Sequence, residues 1–501
     1  MSKYIPTIGL EIHAELATKT KMFCNCINDP DETRPNINVC PICMGHPGTL
    51  PVLNKKAIEM VLKIGHAVGG EIADFTEWDR KNYFYPDIPK GYQISQYKYP
   101  LVSGGKIHKI DLTRIHLEED TGTSIHDRGD FSLLNYNRAG VPLMELVTEP
   151  VIHSAKDAAD FARELQLLLR YLDASNANME KGEMRVEANI SVGPEDSINS
   201  DGTTNFKKLG TKVEIKNLNS FKVVEKAINY EIERMTDLLE AGNGAEIVQE
   251  TRGWDDVKQK TFSQRIKETS NDYRYFPEPD LSKLKISEIP EFSAEKLRAE
   301  LPELPWEKRT RLTKLNLGTD QIEVFINDHR LAKLFDEVCE KFGGSSDKDT
   351  GEKSQNEKEI KLAANYITTD LISLEKGTPS IITPAQIVEL VKMISANEIS
   401  SRGAKDILAI LVNGSGNTGG ADDDKNISIR QIAEKNNLLQ QSDTGALEEI
   451  VKKVITNNPK VVADYKSGKV ALLQFLIGQG MKETKGSANP QVLAEVFRKN
   501  L

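Results

Sequence analysis

The change in hydrophobic pattern near residue 280 limits what this chain can fold into more than any other feature. Before it, runs that alternate apolar and polar residues are separated by Gly, Pro and Asn, and beyond it the apolar spacing is mostly helical. The 501 residues are enough for about two to four domains. We therefore predict an α+β protein with a core of mainly antiparallel sheet and packed helices, followed by a helical region.

Four of the alternating runs carry reactive side chains on one face. Because successive side chains of a strand point to opposite faces, Glu11 and His13 share the polar face of the first run. Arg185, Glu187 and Asn189 share the polar face of the run 184–192. The solvent side of an ordinary antiparallel sheet has the same pattern, so periodicity alone leaves both interpretations open. The runs are 10–16, 113–118, 184–192 and 212–216.

Helical spacing and polar stretches indicate how the remaining sequence is organised. Apolar stripes predict one helix over 155–172 and another that begins after a cap at Asn219 or Ser220. Two polar stretches, the first of linker composition, interrupt the helical region at 343–358 and 413–426. The predicted domains are 1–292 for the core, 293–425 for a helical domain and 426–501 for a small helical tail.

The charge balance excludes a protein that coats nucleic acid with its whole surface, because 65 Lys and Arg face 75 Asp and Glu. The tail differs, since eleven Lys and Arg against seven Asp and Glu give it a charge of +4 in a chain of −10. Such a surface suits a phosphate backbone, although a solvated helical surface has the same composition. No apolar stretch suits a membrane span and no signal peptide is apparent, so we expect a cytoplasmic protein.

Four of the five cysteines fall within twenty residues, as Cys24-x-Cys26 and Cys40-x-x-Cys43. Two close thiolate pairs suit a tetrahedral zinc site that closes a loop and takes no part in catalysis. The single residue between the first two cysteines is fewer than the usual spacing of about two to four. Free thiols or a disulfide are the alternative. We predict a structural zinc loop over 24–43.

Acidic residues and a histidine form a second candidate site. Glu11 and His13 share a strand face, residues 118–120 are three consecutive acids at a strand end, and Glu149 precedes a proline. Carboxylates gathered this densely repel one another unless a cation lies among them, and their hard oxygens suit Mg²⁺. The prediction requires these residues to converge in space, because each one taken singly is an ordinary exposed acid.

The segment 79–96 mixes cations, amides and aromatic rings between turn residues. Lys81 and Lys90 are candidates to neutralise phosphate charge, and the tyrosines are candidates to stack on a base. An ordinary surface loop is the alternative. The sequence has no Walker A motif, no Rossmann glycine fingerprint and no kinase catalytic loop. Any ATP site therefore belongs to another class.

Nine segments, in order and with similar spacing, resemble the B subunit of the aspartyl/glutamyl-tRNA amidotransferase. The resemblance covers nearly the whole chain, including the basic tail. A related archaeal enzyme for Glu-tRNA(Gln) carries a large inserted domain, for which this chain has no room. The segments are GLEIHAEL, CPICMGHPGTLPVLNKKAIE, DRKNYFYPDIPKGYQISQY, HLEEDTG, GVPLMELVTEP, NMEKGEMRVEANIS, TKVEIKNLNSF, QETRGWDD and DYRYFPEPDL.

The resemblance implies one component of a heterotrimeric carbon–nitrogen ligase that uses glutamine as amide donor. The A subunit of that enzyme releases ammonia from glutamine, and the small C subunit bridges. The B subunit uses ATP and Mg²⁺ to phosphorylate the side-chain carboxylate of Asp-tRNA(Asn) or Glu-tRNA(Gln), which ammonia then converts to the amide. The resemblance also implies a cradle-shaped core, a structural zinc ion and a tail that contacts tRNA.

On this resemblance each candidate residue has an expected role. Those expected to hold Mg²⁺ are Glu11, His13, Glu119 and Glu149, with Glu118 and Asp120 around them. Those expected to line the ATP and ammonia route are Lys81, Tyr83 and Lys90. Those expected to hold the substrate end of tRNA are Arg185, Glu187 and Asn189.

Two other classes of function stay open on the sequence. A tRNA-binding adaptor would use the zinc loop and the basic tail but would not need the acids and the histidine. A free-standing ATP-dependent ligase would need its own nitrogen source, and the Gly/Ser-rich signature of an amidase is not apparent. Which misacylated tRNA is used depends on the synthetases of the organism.

Overall fold

The computed structural model describes residues 3–126, 129–200, 203–266, 273–343, 352–376, 380–414, 428–440, 444–484 and 488–501. The chain forms two compact units, residues 1–305 and 306–501. Among the described residues every strand lies in the first unit, and the second consists of helices joined by loops, with one isolated bridge between Ile399 and Leu439. The predicted α+β class is therefore confirmed, as is the change from strands to helices, because the last strand ends at Lys285.

The strands are β1 (Tyr4–Glu15), β2 (Glu71–Ile72), β3 (Phe75–Thr76), β4 (Asp79–Asn82), β5 (Tyr92–Ser95), β6 (Val102–Ser103), β7 (Lys106–Ile107), β8 (Ile110–Glu119), β9 (Thr123–Ile125), β10 (Leu133–Asn135), β11 (Pro142–Thr148), β12 (Met184–Pro194), β13 (Val213–Leu218), β14 (Glu250–Asp255), β15 (Lys260–Ile266), β16 (Phe276–Pro277) and β17 (Leu284–Lys285).

The helices of the first unit, short 3-10 turns aside, are α1 (Lys55–Ala67), α2 (Ala155–Tyr171), α3 (Phe221–Glu240) and α4 (Ala294–Ala299). Those that follow are α5 (Pro305–Thr313), α6 (Thr319–Asn327), α7 (His329–Lys341), α8 (Glu352–Asn365), a π-helical turn (Tyr366–Leu371), α9 (Ile372–Glu375), α10 (Pro384–Ser395), α11 (Ser401–Gly414), α12 (Ile429–Lys435), α13 (Thr444–Asn457), α14 (Pro459–Lys466), α15 (Leu472–Glu483) and α16 (Pro490–Asn500).

Ten strands form one sheet in the order β15-β14-β13-β12-β1-β11-β8-β6-β2, with β7 paired to β8. Its pairs are antiparallel except β13 with β14. The four alternating runs of the sequence are strands β1, β8, β12 and β13, as predicted. The long strand β1 therefore lies between β11 and β12, next to the strand that carries Arg185, Glu187 and Asn189.

The two faces of the sheet differ as the alternation requires. Leu10, Ile12 and Ala14 of β1 are at most 1% exposed, and α3 packs on β12 while α2 packs on α3. Ser154 and Ser220 begin these two helices by accepting the backbone N–H of residues three positions later, which satisfies donors left free at a helix N-terminus. Both predicted helices are confirmed, and the other face of the sheet is left for polar side chains.

The structure describes only part of the two polar stretches of the second unit. Residues 344–351 and 415–427 lie outside the described residues, whereas 352–358 begin helix α8. In the tail, buried side chains between Leu447 and Phe497 form a hydrophobic core cluster. The division at 292 and 425 stays a prediction. Among the described residues, no helix combines the length and the apolar composition needed to cross a membrane.

Candidate active site and metal centre

The polar face of β1, β11 and β8 brings three titratable side chains into one row. Antiparallel pairing sets His13 opposite Glu145, and Glu145 opposite His116. Residues directly opposite each other in antiparallel strands share a face and lie about 5 Å apart. Glu11 flanks this row on β1 and Glu118 flanks it on β8, so five residues from three strands form one cluster.

The cluster is dense enough to hold a cation. His13 Nε2 lies 3.4 Å from Glu145 Oε2, 3.7 Å from Glu118 Oε1 and 3.9 Å from Glu11 Oε1. His116 Nε2 lies 3.5 Å from the same oxygen of Glu145. Two overlapping sets, Glu11 with His13 and Glu145, and His116 with Glu118 and Glu145, each have their ligand atoms within 4.8 Å of one another.

Burial and neighbouring charges perturb the cluster strongly. Burial, aided by the charge of Glu145, raises the pKa of Glu11 to about 7. Burial opposes charge on His13, but the hydrogen bond and charge of Glu145 outweigh it and raise the pKa of His13 to about 9. Burial likewise favours protonation of Glu145, yet His116 and His13 hold its pKa well below the ordinary range. The protein alone therefore carries a protonated histidine among carboxylates, and a metal ion would have to displace that proton.

Lys81 adds a cation beside the cluster. It lies on β4, and its ammonium is 5.3 Å from the ring centroid of Tyr273 and 6.0 Å from that of Tyr83. Burial opposes its charge, but Glu118 leads the neighbouring groups that raise its pKa above the ordinary range. Lys81 is therefore a permanent positive charge held between aromatic rings and carboxylates.

Lys90 and Glu119 form a separate buried ion pair. Their side chains are 9% and 6% exposed, and Glu119 Oε1 also accepts the backbone N–H of Ile94 at 2.9 Å. Glu149 follows the last residue of β11 and accepts a hydrogen bond from the hydroxyl of Thr113 at 2.7 Å. In the described part of the chain, neither Glu119 nor Glu149 belongs to the groups whose ligand atoms converge around His13. Their role as metal ligands stays a prediction.

The candidate residues on β12 have different surroundings. Arg185 donates to Asp120 at 2.8 Å, and Lys216 donates to Glu187 at 2.7 Å. Both charged residues are thus already paired within the protein. Asn189 Oδ1 is buried without a hydrogen-bond partner in the described structure, and such an atom is costly unless a ligand or water satisfies it.

The four cysteines converge as their spacing predicted. The Sγ atoms of Cys24, Cys26, Cys40 and Cys43 lie within 4.8 Å of one another. Lys21, only 1% exposed, places its ammonium 3.9 Å from Cys43 Sγ. The same ammonium donates to the backbone carbonyl of Tyr136 at 3.2 Å, and thiolates in this centre would supply the negative charge that a buried ammonium favours. The cluster can therefore hold a metal ion and is consistent with structural zinc.

Sequence reasoning missed Glu145 and left His116 without a role. The available signal was a single acid, Glu145, inside the otherwise apolar run 143–147. What this run does not contain is the register that sets Glu145 between His13 and His116.

Comparison with known families matches this architecture in two parts. Residues 6–290 match the GatB/GatE catalytic domain family, and residues 349–501 match the GatB domain family. The first match contains the sheet, the cluster around His13 and the cysteine centre. Residues 6–290 thus have the fold of a GatB/GatE catalytic domain.

Full-length relatives narrow the class. The chain is 43% identical to the B subunit of aspartyl/glutamyl-tRNA(Asn/Gln) amidotransferase from Caldanaerobacter subterraneus subsp. tengcongensis, over all of this chain and 99% of the relative. It is 42% identical to the protein of the same name from Thermodesulfovibrio yellowstonii, over all of this chain and 99% of the relative. A rice relative, the chloroplastic/mitochondrial B subunit of glutamyl-tRNA(Gln) amidotransferase, is 40% identical over 99% of this chain and 87% of its own length. The chain belongs to the family of aspartyl/glutamyl-tRNA amidotransferase B subunits.

Proposed function

We propose that this chain activates and amidates the side-chain carboxylate of Asp-tRNA(Asn), Glu-tRNA(Gln) or both, in a heterotrimeric complex with the A and C subunits of the amidotransferase. The observation that carries the proposal is the row of His13, Glu145 and His116 with Lys81 beside it. A protein that only docks tRNA has no need of such a cluster. The names of the relatives support the substrate class. The cytoplasm is the proposed compartment.

The chemistry explains why cations are needed. A carboxylate is a poor acyl electrophile, so one of its oxygens attacks the γ-phosphorus of ATP, forming an acyl phosphate and releasing ADP. The nitrogen of ammonia then attacks the acyl carbon, and inorganic phosphate leaves with the C–O bond electrons. The first step brings two anions together, and Mg²⁺, when bound, supplies the charge that offsets their repulsion.

The cluster provides oxygen donors for that ion. Glu11, Glu118 and Glu145 offer carboxylates, which Mg²⁺ prefers, and deprotonated His13 offers a nitrogen. We propose that Lys81 donates to phosphate oxygens, and its raised pKa, which keeps it charged at physiological pH, supports this role. We further propose that Lys90 and Tyr83 line the route of ATP and ammonia. The unpartnered amide oxygen of Asn189 on β12 is available to accept a hydrogen bond from the substrate.

Reconstitution tests the proposal directly. The chain is combined with its A and C subunits and given Asp-tRNA(Asn) or Glu-tRNA(Gln) separately, with Mg²⁺, ATP and ammonium, and the esterified amino acid is analysed. Ammonium bypasses glutamine hydrolysis and isolates the reaction of this chain. Asn or Gln on tRNA with matching ATP cleavage supports the proposal and defines the specificity. Tight tRNA binding with neither product would favour the adaptor function.

Two variants link the activity to the cluster. Glu11→Ala and His13→Ala should each abolish tRNA-dependent ATP cleavage and leave the glutaminase activity of the complex intact. Lys106→Ala, which removes a half-exposed lysine that pairs with Asp111, is the control for a substitution on the same sheet. Unchanged ATP cleavage in both cluster variants would remove them from the site.

The helical tail is the proposed tRNA contact. Its net positive charge suits phosphate, although Lys453, Lys469 and Lys499 are engaged in ion pairs with acids of the tail. tRNA affinity of the full complex should fall with rising salt, and Lys460→Glu, at an exposed position on α14, should weaken it further. A salt-independent affinity would exclude a phosphate contact here.

A further inference from the structure

The loop that carries the cysteines packs directly on Lys90. Gly45, two residues after Cys43, has φ +65°, and a Cβ at this position would lie 2.4 Å from Lys90 Cγ and 3.2 Å from Lys90 Cα. Real Cβ atoms do not approach other atoms more closely than about 3 Å. The backbone of the loop therefore touches the stem of a lysine whose ammonium is paired with Glu119.

Two further contacts join the same partners. Phe23, which precedes Cys24, places its ring centroid 5.8 Å from the Lys90 ammonium. On the other side, a Cβ at Gly140 would lie 3.4 Å from Cys43 Cβ and 3.8 Å from Glu119 Oε2. Lys90, Glu119 and residues of the cysteine segment line one cleft. Lys90 thus packs against the segment that carries the cysteines, and Glu119 and Cys43 both lie next to Gly140.

We propose that the metal-closed cysteine loop is a positioning element for the Lys90–Glu119 ion pair. Four thiolates bound to one ion remove most of the conformational freedom of the loop between the cysteine pairs. Gly45 follows that loop, and its N–H donates to Ile42 O at 3.0 Å, so its backbone is held with the second cysteine pair. It then leaves the Lys90 stem little space, and the Lys90 ammonium is held on Glu119. Without the ion the loop is free to move away, and Lys90 with it. The effect on activity rests on the proposed function, whereas the position of Lys90 does not.

A matched pair of glycines separates this contact from general damage to the loop. Gly45→Ala places a methyl group against Lys90, whereas Gly48→Ala, at φ +84° with no atom within 4 Å, has a similar backbone cost and no collision. The readout is the rate at which an amine-reactive reagent labels Lys90 in the full chain, measured by mass spectrometry, with exposed Lys106 as the internal reference. Variants are compared at full zinc occupancy.

We expect Lys90 labelling to rise at least threefold in Gly45→Ala and to stay unchanged in Gly48→Ala. Removal of zinc from the natural chain should raise it similarly, and added Zn²⁺ should restore protection. Equal labelling in the zinc-bound, zinc-free and Gly45→Ala chains would overturn the proposal. In the reconstituted complex, Gly45→Ala should slow ammonium-dependent ATP cleavage more than Gly48→Ala. If the natural complex shows no such cleavage, the proposed function fails, and the labelling still decides the position of Lys90.

Discussion

Glu145→Gln tests whether one buried carboxylate controls the charge of the cluster. Glu145 accepts from Arg114 at 3.1 Å and lies 3.4 Å from His13 and 3.5 Å from His116, with its side chain 5% exposed. Gln preserves the shape and removes the charge. An opposite charge at this distance shifts a pKa by about 1 to 3 units. We therefore expect the pKa of His13, about 9 beside Glu145, to fall by that amount.

The same substitution should slow the reaction severely. Removing one partner of a buried ion pair costs about 3 to 5 kcal/mol, because the remaining charge is left uncompensated. Each 1.36 kcal/mol lost from the transition state is a factor of about ten in rate. If half or more of the cost falls on the metal-dependent step, tRNA-dependent ATP cleavage should fall about 10²-fold, with glutaminase activity unchanged.

The pKa is measured by NMR on a chain labelled at its eight histidines, with the His13 signal assigned from His13→Gln. Glu149→Gln is the control, because that carboxylate bonds to Thr113 and lies outside the converging groups of the described chain. It should leave the pKa of His13 within about 0.3 unit of its natural value. An unchanged pKa of His13 in Glu145→Gln, or an equal fall of that pKa in Glu149→Gln, would refute the reasoning.

Three further outcomes test other parts of the structure. Lys21→Met should release zinc to a chelator about tenfold faster or more, since a neighbour that tunes a ligand typically contributes 10- to 100-fold to affinity. The control Lys19→Met should release zinc at the natural rate. Equal release rates in the two variants would show that Lys21 does not act on the cysteine centre. Burial and Asp120 raise the pKa of Glu15 from 4.5 to about 8, so the folded chain holds a proton that the unfolded chain has lost, and stability should decline between these pH values. In denaturant unfolding, Glu15→Gln should make stability decline less steeply with pH than in the natural chain. Equal slopes of stability against pH in the two chains would count against this expectation. Glu231 is a fully buried carboxylate that accepts from Arg234 and Thr261, so Glu231→Gln should lower the free energy of unfolding by about 3 to 5 kcal/mol. The exposed control Glu233→Gln should lower it by at most about 0.5 kcal/mol. Similar unfolding midpoints in the two variants would contradict this expectation.

Features that depend on neighbouring residues could be predicted from the sequence. The alternation in β1 and β12 was visible because a strand turns each side chain to the opposite face of its neighbour. Ser220 was a visible cap, since its hydroxyl bonds to a backbone N–H three residues later. The cysteines lie on one loop, and their spacing alone brings two pairs of thiols together.

Features that depend on pairing between distant segments could not be predicted from the sequence. Nothing local states that Glu145 stands opposite His13, because register is a property of two strands, and a slip of one residue turns a side chain to the other face. The placement of Glu119 beside Lys90, outside the cluster around His13, has the same origin.

The sequence by itself therefore determined the class of fold, the polar face of each strand, the cysteine centre and the family resemblance. Tertiary structure alone decided which groups meet: Glu145 with two histidines, Lys21 with Cys43, and Gly45 with the stem of Lys90. The physical reason is the separation along the chain between the residues that interact. Secondary structure follows from contacts a few residues apart, whereas a charge cluster exists only once the packed sheet has excluded water and fixed distances between strands.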